Sequence, residues 1–382
     1  MRILTGVLIL APAGGIELCT YQDGGVLVER GHELDIQYQV DGPQHADYET
    51  AGMSVVGPVE LIAETRRPVK TLRAFLHAWR LARRRKPDVL WLNRSEHIIW
   101  AQFLSTLLRV PIVTHLHHAP NFRQTNRLYR GVSSFISVSE HTRQQWIDAG
   151  IPAEKIAVVH NSIPLEAYPV GDLPERQVAR ARLGLDDGAR VALYCGRLTR
   201  EKGVDTLVEA WRRRSDPNAV LVLVGRAETD TSWLPEALDR LPAGSWRMFD
   251  ETRDIVPFLH AADVVVVPTP EHEAFGRVVL EGLASGRPVL ASRVGGIPEI
   301  LTGAMERFLV PPADAGALAD ALDATLDWRT QEPTLGADAR RWVEERFPYD
   351  AHVDAVEAAL SSVARPPFGA KRLTPAASAG QS

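Results

Sequence analysis

The sequence lacks several features that mark common classes of protein. Its 382 residues include only two cysteines, Cys19 and Cys195, far apart in the chain. Neither a disulfide framework nor a thiolate metal site is therefore available, which favours a reducing compartment. No apolar run approaches the ~18–20 residues that span a bilayer. No Asp-x-Asp motif is present, so we expect no metal cofactor, and no G-x-G-x-x-G follows a strand, which disfavours a dinucleotide-dependent dehydrogenase.

The chain also lacks a large net charge of either sign. The net charge is -5 with 24% charged residues, which gives no reason to expect nucleic acid as a partner. The sign nevertheless changes along the chain, because residues 1–165 hold 18 basic side chains against 15 acidic ones. An anionic surface should therefore meet the N-terminal half.

The first residues, "MRILTGVLILAPAGG", imitate a secretory signal, with a short apolar stretch before Ala-Pro-Ala. The basic region is a single residue, Arg2, and the chain continues as a strand, a loop and a helix. We therefore interpret this stretch as the first strand of a cytoplasmic protein.

Apolar strands alternate with amphipathic helices throughout, as in "ELDIQYQV" and "VLWLN" of the first half and "RVALYCG" and "AVLVLVG" of the second. This alternation predicts an α/β fold with two doubly wound, Rossmann-like parallel sheets. Such sheets bind ligands outside the carboxyl ends of their strands, so two facing edges would form a cleft. The predicted domains are 1–163 and 164–345, followed by a helix at 346–364 that packs back toward the N-terminal domain and a disordered tail at 365–382.

The segment "VALYCGRLTREKG" places basic residues at the exit of a predicted strand. Gly196 allows a ligand to approach the backbone closely, and Arg197 and Lys202 precede a helix. A diphosphate fits such a site, because arginine offers a planar fork and lysine a mobile point charge. The alternative is a pair of solvated surface cations.

The segment "EAFGRVVLEGLASG" carries two glutamates, Glu273 in a predicted loop and Glu281 on the helix that begins near Gly276. Ionised carboxylates accept hydrogen bonds from hydroxyls, so the two could hold separate polyol groups of one extended ligand. A hydrolytic pair is a rival, but an offset of eight helical residues separates backbones by ~12 Å, beyond the usual spacing of such pairs. Two solvated glutamates are the remaining alternative.

Three segments together, "APAGGIE", "GRLTREKG" and "EAFGRVVLEGLASGRPVLASRVGGIPEI", resemble the retaining glycosyltransferases of family 4, which have the two-Rossmann-domain architecture called GT-B. The resemblance extends over residues 1 to about 360. It implies transfer of a sugar from a nucleotide-diphosphate donor to a hydroxyl acceptor, with retention at the anomeric carbon and without a metal.

The resemblance also implies roles for individual residues. Arg197 and Lys202 would hold the diphosphate, Glu273 the donor sugar and Glu281 the ribose. The other implied donor-binding residues surround the donor. The glycine loop of the N-terminal domain would close on it, the backbone after two strands and at the head of a helix would contact its phosphates and sugar, and one segment would meet the base. These residues are Gly14, Gly15, Gly196, Ala274, Phe275, Gly276, Gly225 and Arg226.

Three histidines follow a predicted strand in "PIVTHLHHAP". A metal site is possible because imidazoles are common ligands, but no carboxylate stands nearby in the sequence. The resemblance instead implies that His117 bonds the donor sugar near the reacting carbon. At His118 the family frequently has aspartate, and this departure leaves the acceptor open.

The stretch 68–86 is a basic amphipathic helix. One face carries Val69, Leu72, Leu76 and Trp79, and another carries Arg80 and Arg84 among other cations. Such a helix either lies on an anionic membrane, which would suit a lipid-linked acceptor, or packs on its sheet with a solvated basic face.

We therefore expect a cytoplasmic glycosyltransferase that builds a surface polysaccharide, glycolipid or other glycoconjugate. If the basic helix at 68–86 binds lipid, the protein is peripheral at the inner face of the membrane. Two alternatives remain. A sugar-nucleotide epimerase of similar fold would convert the donor without an acceptor, and a non-catalytic binding protein would bind donor without turnover.

Overall fold

The computed structural model of the chain describes residues 1–11, 14–64, 66–122, 125–214, 216, 218–228 and 231–364. In the first half, parallel strands pair in the order β3-β2-β1-β4-β5-β6-β7. These strands are β1 (Arg2–Ile9), β2 (Glu33–Val40), β3 (Ser54–Val56), β4 (Val89–Leu92), β5 (Ile112–Leu116), β6 (Ser134–Ser137) and β7 (Ile156–Val158). The order reverses between β1 and β4, where the neighbouring connections leave in opposite directions.

Six α-helices cover this first sheet within the described ranges. They are α1 (Gly15–Glu29), α2 (His45–Thr50), α3 (Pro68–Arg85), α4 (Ile98–Leu108), α5 (Thr125–Leu128) and α6 (Glu140–Asp148). Central strands such as β4 and β5 are buried along their whole length, because helices lie on both faces of the sheet. This is why they appear in the sequence as continuous apolar runs.

The second sheet repeats the same winding, with parallel strands in the order β10-β9-β8-β11-β12-β13. They are β8 (Arg190–Cys195), β9 (Ala219–Val224), β10 (Trp246–Phe249), β11 (Val264–Val267), β12 (Val289–Ser292) and β13 (Leu309–Val310). The two Rossmann-like sheets predicted from the sequence are thus confirmed.

Among the described residues, ten α-helices follow the linker that leaves β7. They are α7 (Leu173–Arg182), α8 (Val204–Arg213), α9 (Trp233–Asp239), α10 (Val256–Ala261), α11 (Arg277–Ala284), α12 (Ile297–Ile300), α13 (Ala315–Thr325), α14 (Trp328–Gln331), α15 (Leu335–Arg346) and α16 (Tyr349–Val363). A buried carboxylate, Asp263, joins two of them, α7 and α14, just before β11. It accepts hydrogen bonds from Arg176 and Arg180 at 2.8 Å and from Arg329 at 3.0 Å.

The last helix, α16, lies against the first sheet and not the second. Val353, Val356 and Leu360 are fully buried among side chains of that sheet. His352 contacts Asp23 of α1 at 3.2 Å, so α16 also contacts a helix of the N-terminal half. The stretch 365–382, for which a tail was predicted, lies outside the described residues.

Helix α3 contacts its sheet through Phe75, Ala78 and Ala82, which form its buried face. The sequence did not single out these three residues. Val69 and Leu72, from the apolar row described in the sequence, are 63% and 51% exposed. The two alanines let the helix approach the sheet closely beside Phe75. None of the helices in the described part of the chain combines the length and the apolar content that a bilayer crossing needs.

Candidate active site

A cavity of about 740 Å³ lies between the two halves at the carboxyl ends of both sheets. A smaller pocket of about 260 Å³ adjoins it at the start of α11. The predicted residues that line one or both are Gly14, Gly15, His117, Gly196, Arg197, Lys202, Gly225, Arg226, Glu273, Gly276 and Glu281. The cleft therefore brings together predicted residues from both halves, whereas Ala274 and Phe275 stand beside it.

Two glycines let the exits of β8 and β9 meet closely. A Cβ on Gly225 would lie 1.8 Å from the carbonyl oxygen of Gly196, a distance that no side chain tolerates. Tyr194 donates its hydroxyl to the carbonyl of Arg197 at 2.5 Å and so orders the turn that follows. The Arg197 guanidinium is half-exposed and lies 3.3 Å from Glu201 and 3.5 Å from Glu228.

Lys202 and Glu273 form an ion pair in the wall of the smaller pocket. Its Nζ lies 2.9 Å from Oε2 of Glu273, and both side chains are about a quarter exposed or less. The turn that carries Lys202 ends at Gly203, which has φ 75°. A Cβ there would lie 2.0 Å from the carbonyl oxygen of Pro268, so glycine is required for the turn to pack on the strand exit. Lys202, predicted to bind the diphosphate, and Glu273, predicted to bind the donor sugar, thus neutralise each other's charge in this structure.

A second pair of glycines supports the loop that holds Glu273. The amide of Gly296 donates to the carbonyl of Glu273 at 2.9 Å. A Cβ on Gly295 would lie 1.8 Å from that same carbonyl oxygen, and one on Gly296 would lie 2.4 Å from the carbonyl oxygen of Ala274. The glycines of "VGGIPEI" therefore act by letting one loop lie on the other.

The N-terminal half also holds this loop. The carbonyl of Ala274 accepts hydrogen bonds from the hydroxyls of Ser139 at 2.6 Å and Thr142 at 3.2 Å. Phe275 is buried and stacks on His160 with ring centroids 5.6 Å apart. Gly276 has φ 105° and precedes α11. Among the described residues, no acceptor takes a hydrogen bond from the amides of residues 274–278, so these N–H groups at the head of the helix are available to an anion.

Another tie between the halves runs through Glu299, on α12. Its carboxylate accepts hydrogen bonds from the amides of Glu140 and His141 at the head of α6, both at 2.9 Å. It also lies 2.8 Å from Nε2 of His160. Burial alone would raise the pKa of Glu299, but these hydrogen bonds lower it overall.

On the N-terminal side of the cleft, Glu17 and Arg94 form a tight pair. Glu17 is 2% exposed, and its Oε1 accepts a hydrogen bond from Nε of Arg94 at 2.7 Å. Neither was singled out in the sequence. They stand 77 positions apart, and no local pattern connects them.

His117 follows β5 and lines the cleft, with Nε2 3.4 Å from Oδ1 of Asn93. Burial lowers the pKa of His117 to about 3, so it is neutral at physiological pH and can share hydrogen bonds without carrying charge. His115 lies 4.1 Å away between ring centroids but is buried. Within the described residues, no group of three or more His, Cys, Asp or Glu side chains is arranged to hold a metal.

Comparison with known proteins agrees with this geometry. Residues 13–167 match the family model for Glycosyltransferase Family 4, and residues 189–327 match the model for Glycosyl transferases group 1. The chain belongs to glycosyltransferase family 4. Together the two matched ranges include every site residue that was predicted from the sequence.

Two curated relatives in this family are D-inositol 3-phosphate glycosyltransferases. The one from Streptomyces avermitilis is 33% identical over 204 residues, which cover 50% of this chain and 43% of the relative. The one from Corynebacterium glutamicum is 27% identical over 370 residues, which cover 86% and 87%. The chain thus spans about half the length of several curated relatives that it matches.

The fold is also similar to a crystal structure from Anabaena, Alr3699/HepE in complex with UDP-glucose. The TM-score is 0.82 with 24% identity, over 95% of this chain and all of the other. At that identity the comparison establishes the GT-B fold, with its two facing Rossmann-like domains.

Sequence reasoning missed two side chains that surround the family's second glutamate, Glu281. Arg277 and Tyr168 both bond its Oε1, at 2.9 Å and 3.1 Å. Arg277 stood inside the quoted motif, and its position one helical turn before Glu281 was a usable signal. Tyr168 lies in the linker, 113 residues before Glu281, so only the fold brings it there.

Proposed function

We propose that this chain transfers a sugar from a nucleotide-diphosphate donor to a hydroxyl acceptor, with retention at the anomeric carbon. The observation that carries the proposal is the convergence of cations, carboxylates and free amides in one cleft. Lys202 and Arg197 supply positive charge, Glu273 and Glu281 supply two separate hydroxyl acceptors, and the head of α11 lies beside them. Such an arrangement matches a donor with sugar, diphosphate and ribose in sequence.

The proposed reaction balances without an enzyme nucleophile. The acceptor oxygen bonds to the anomeric carbon on the face from which the diphosphate leaves. The bond from that carbon to the phosphate oxygen breaks, and the acceptor proton passes to the departing phosphate. Lys202, Arg197 and the amides at the head of α11 stabilise the charge that develops on the leaving group.

His117 would serve the sugar end of the donor. Its neutral imidazole donates from Nε2 to Oδ1 of Asn93, which leaves Nδ1 as an acceptor for a sugar hydroxyl. Glu273 would accept from other hydroxyls of the same sugar, while Lys202 keeps its carboxylate from repelling the diphosphate.

A thermal-shift panel of UDP-, GDP-, ADP- and dTDP-sugars tests donor binding, because a ligand that binds the folded state raises Tm by mass action. UDP-glucose comes first, since it is named in the Anabaena complex. Product analysis with and without acceptor then separates the candidates. Conversion of the donor alone would indicate an epimerase, and binding without turnover over a broad acceptor panel would contradict transfer.

Variants test the site itself. Lys202→Ala and Glu273→Ala should each lower the transfer rate by about 10²-fold or more while leaving Tm nearly unchanged. Glu332→Ala, which removes an exposed ion pair with Arg307 outside the cleft, is the matched control. Near-normal rates in either cleft variant would overturn the assignment.

We propose further that the acceptor is carried on an anionic lipid surface. Exposed apolar side chains cluster on the N-terminal half around α3 and α4, where Ile62, Val69, Leu72 and Ile99 are 38–63% exposed. Helix α3 contains no acidic residue. This apolar patch with basic neighbours has the composition of a surface that lies in the headgroup region of a membrane.

The cations beside the patch are available for lipid phosphates. Arg73, Arg80 and Arg84 are exposed, and none of them forms an ion pair with the described residues. Helix α4, which carries Ile99, begins four residues after Arg94, a residue that lines the cleft.

Co-sedimentation with vesicles of phosphatidylcholine, with and without phosphatidylglycerol, tests this surface. Arg80→Ala/Arg84→Ala should reduce binding to the anionic vesicles. Arg212→Ala/Arg213→Ala, an exposed pair on α8 of the other half, should not. Equal binding by both double variants would refute the membrane proposal and leave the transferase proposal untouched.

A further inference from the structure

Arg277 begins α11 and places its guanidinium among three separate parts of the chain. Nε donates to Oε1 of Glu281 at 2.9 Å, one turn along the same helix. Nη2 donates to Oε1 of Gln22 in α1 at 2.7 Å and lies 3.4 Å from the hydroxyl of Tyr168 in the linker. Nη1 lies 3.5 Å from Sγ of Cys19, also in α1. One side chain thus joins the donor helix, the linker and the N-terminal half.

These contacts give the two carboxylate oxygens of Glu281 different surroundings. Oε1 accepts from both Arg277 and the hydroxyl of Tyr168, which is 3.1 Å away. Oε2 takes no hydrogen bond from any of the described residues, and Glu281 lines both cavities of the cleft. A carboxylate oxygen has room for two donors, so the unoccupied oxygen can accept both hydroxyls of a vicinal diol.

Burial of the Arg277 guanidinium costs free energy unless polar partners compensate for the lost water. Its side chain is 10% exposed. The partners it does find are Glu281, Tyr168 of the linker, and two residues of the N-terminal half, Gln22 and Cys19.

From this geometry we infer that Arg277 is a positioning residue that aims the free oxygen of Glu281 at the ribose of the donor. The inference rests on the proposed function, in which Glu281 holds that ribose. Because Gln22 and Cys19 belong to the N-terminal half, the carboxylate is fully oriented only when the two halves are together. Recognition of the ribose and closure of the cleft are then a single event.

The test measures discrimination between a ribose and a sugar without hydroxyls. Isothermal titration calorimetry compares UDP, GDP and ADP with their 2′,3′-dideoxy counterparts. The wild type should bind the ribose form of its preferred nucleotide roughly tenfold tighter or more, since hydrogen bonds to a charged acceptor are among the stronger ones.

Arg277→Met should bring the ratio of the two dissociation constants close to one. A purely structural role would weaken both ligands equally and leave the ratio unchanged. Arg277→Lys keeps the charge but not the fork, so the ratio should recover only in part. Arg240→Met removes an arginine that pairs with Glu236 four residues away on the surface and should change nothing.

Gln22→Met covers the case in which Arg277→Met does not fold. It leaves α11 intact and removes only the acceptor in α1, so the ratio should fall partway. An unchanged ratio in Gln22→Met and Arg277→Lys, or a wild type that binds nucleotides without discrimination, would overturn the inference. A wild type that binds none of the nucleotides would instead refute the proposed function.

Discussion

The ion pair of Lys202 and Glu273 predicts the direction in which nucleotide affinity changes when both residues are substituted. Without donor, Nζ and Oε2 are 2.9 Å apart, and in the proposed complex the lysine stands between the glutamate and the diphosphate. Lys202→Met therefore removes an attraction and also exposes the diphosphate to an unscreened carboxylate. Adding Glu273→Gln to Lys202→Met should then restore part of the nucleotide affinity.

The magnitude follows from the contact. Side chains in direct contact couple by about 0.5–3 kcal/mol, and the two side chains here are 27% and 21% exposed. We therefore expect the double variant to bind the preferred nucleoside diphosphate about 2- to 150-fold tighter than Lys202→Met. Transfer should stay at least 10²-fold below wild type, because the cation that stabilises the leaving group is still missing.

Calorimetric titration of the four members of the cycle measures this coupling directly. A second cycle with Arg307→Met and Glu332→Gln, an exposed pair outside the cleft, controls for general effects of charge. If the double variant binds as weakly as the product of the single losses predicts, Lys202 does not stand between Glu273 and the diphosphate, and the arrangement proposed here is wrong.

Three further predictions concern the framework. Asp263→Ala removes the carboxylate that three buried or half-buried arginines share, which should lower Tm by roughly 6–20 °C in thermal denaturation; a shift below 2 °C would contradict this. Burial lowers the pKa of His352, but Asp23 outweighs it and the pKa is raised overall, so the stabilisation is complete below about pH 6.5 and is lost as pH rises through the folded pKa. Tm should then fall more steeply above pH 6.5 in wild type than in His352→Gln, and parallel curves would refute it. Gly295→Ala puts a Cβ 1.8 Å from the carbonyl oxygen of Glu273 and should abolish donor binding in the thermal-shift panel, whereas unchanged binding would show that the loop relaxes freely.

Most strands could be predicted because their physical cause is local. Runs such as "VLWL" and "VVVV" are buried on both faces, and a continuous apolar run between turns is what such burial requires. Strand β3 could not be predicted, because three residues at the edge of a sheet carry too little pattern. The buried face of α3 could not be predicted either, because two of its three residues are alanines, which mark no apolar row in the sequence.

Part of the candidate site was also accessible from the sequence. Glu273, Glu281, Lys202 and the glycines stand in short motifs in which the spacing reflects one loop and one helix. The pairs of Glu17 with Arg94 and of Tyr168 with Glu281 join residues 77 and 113 positions apart. No window of sequence contains both members, so these could not be predicted.

The sequence by itself determined the two doubly wound sheets, the family and the loop and helix on which the two glutamates stand, because each depends on the pattern of neighbouring residues. The tertiary structure alone decided how those groups are oriented. Arg277 could have been a surface cation, yet closure of the two halves surrounds it with Glu281, Gln22 and Tyr168. Such contacts between distant segments arise only when the whole chain has packed, and they determine which oxygen of Glu281 is left for a ligand.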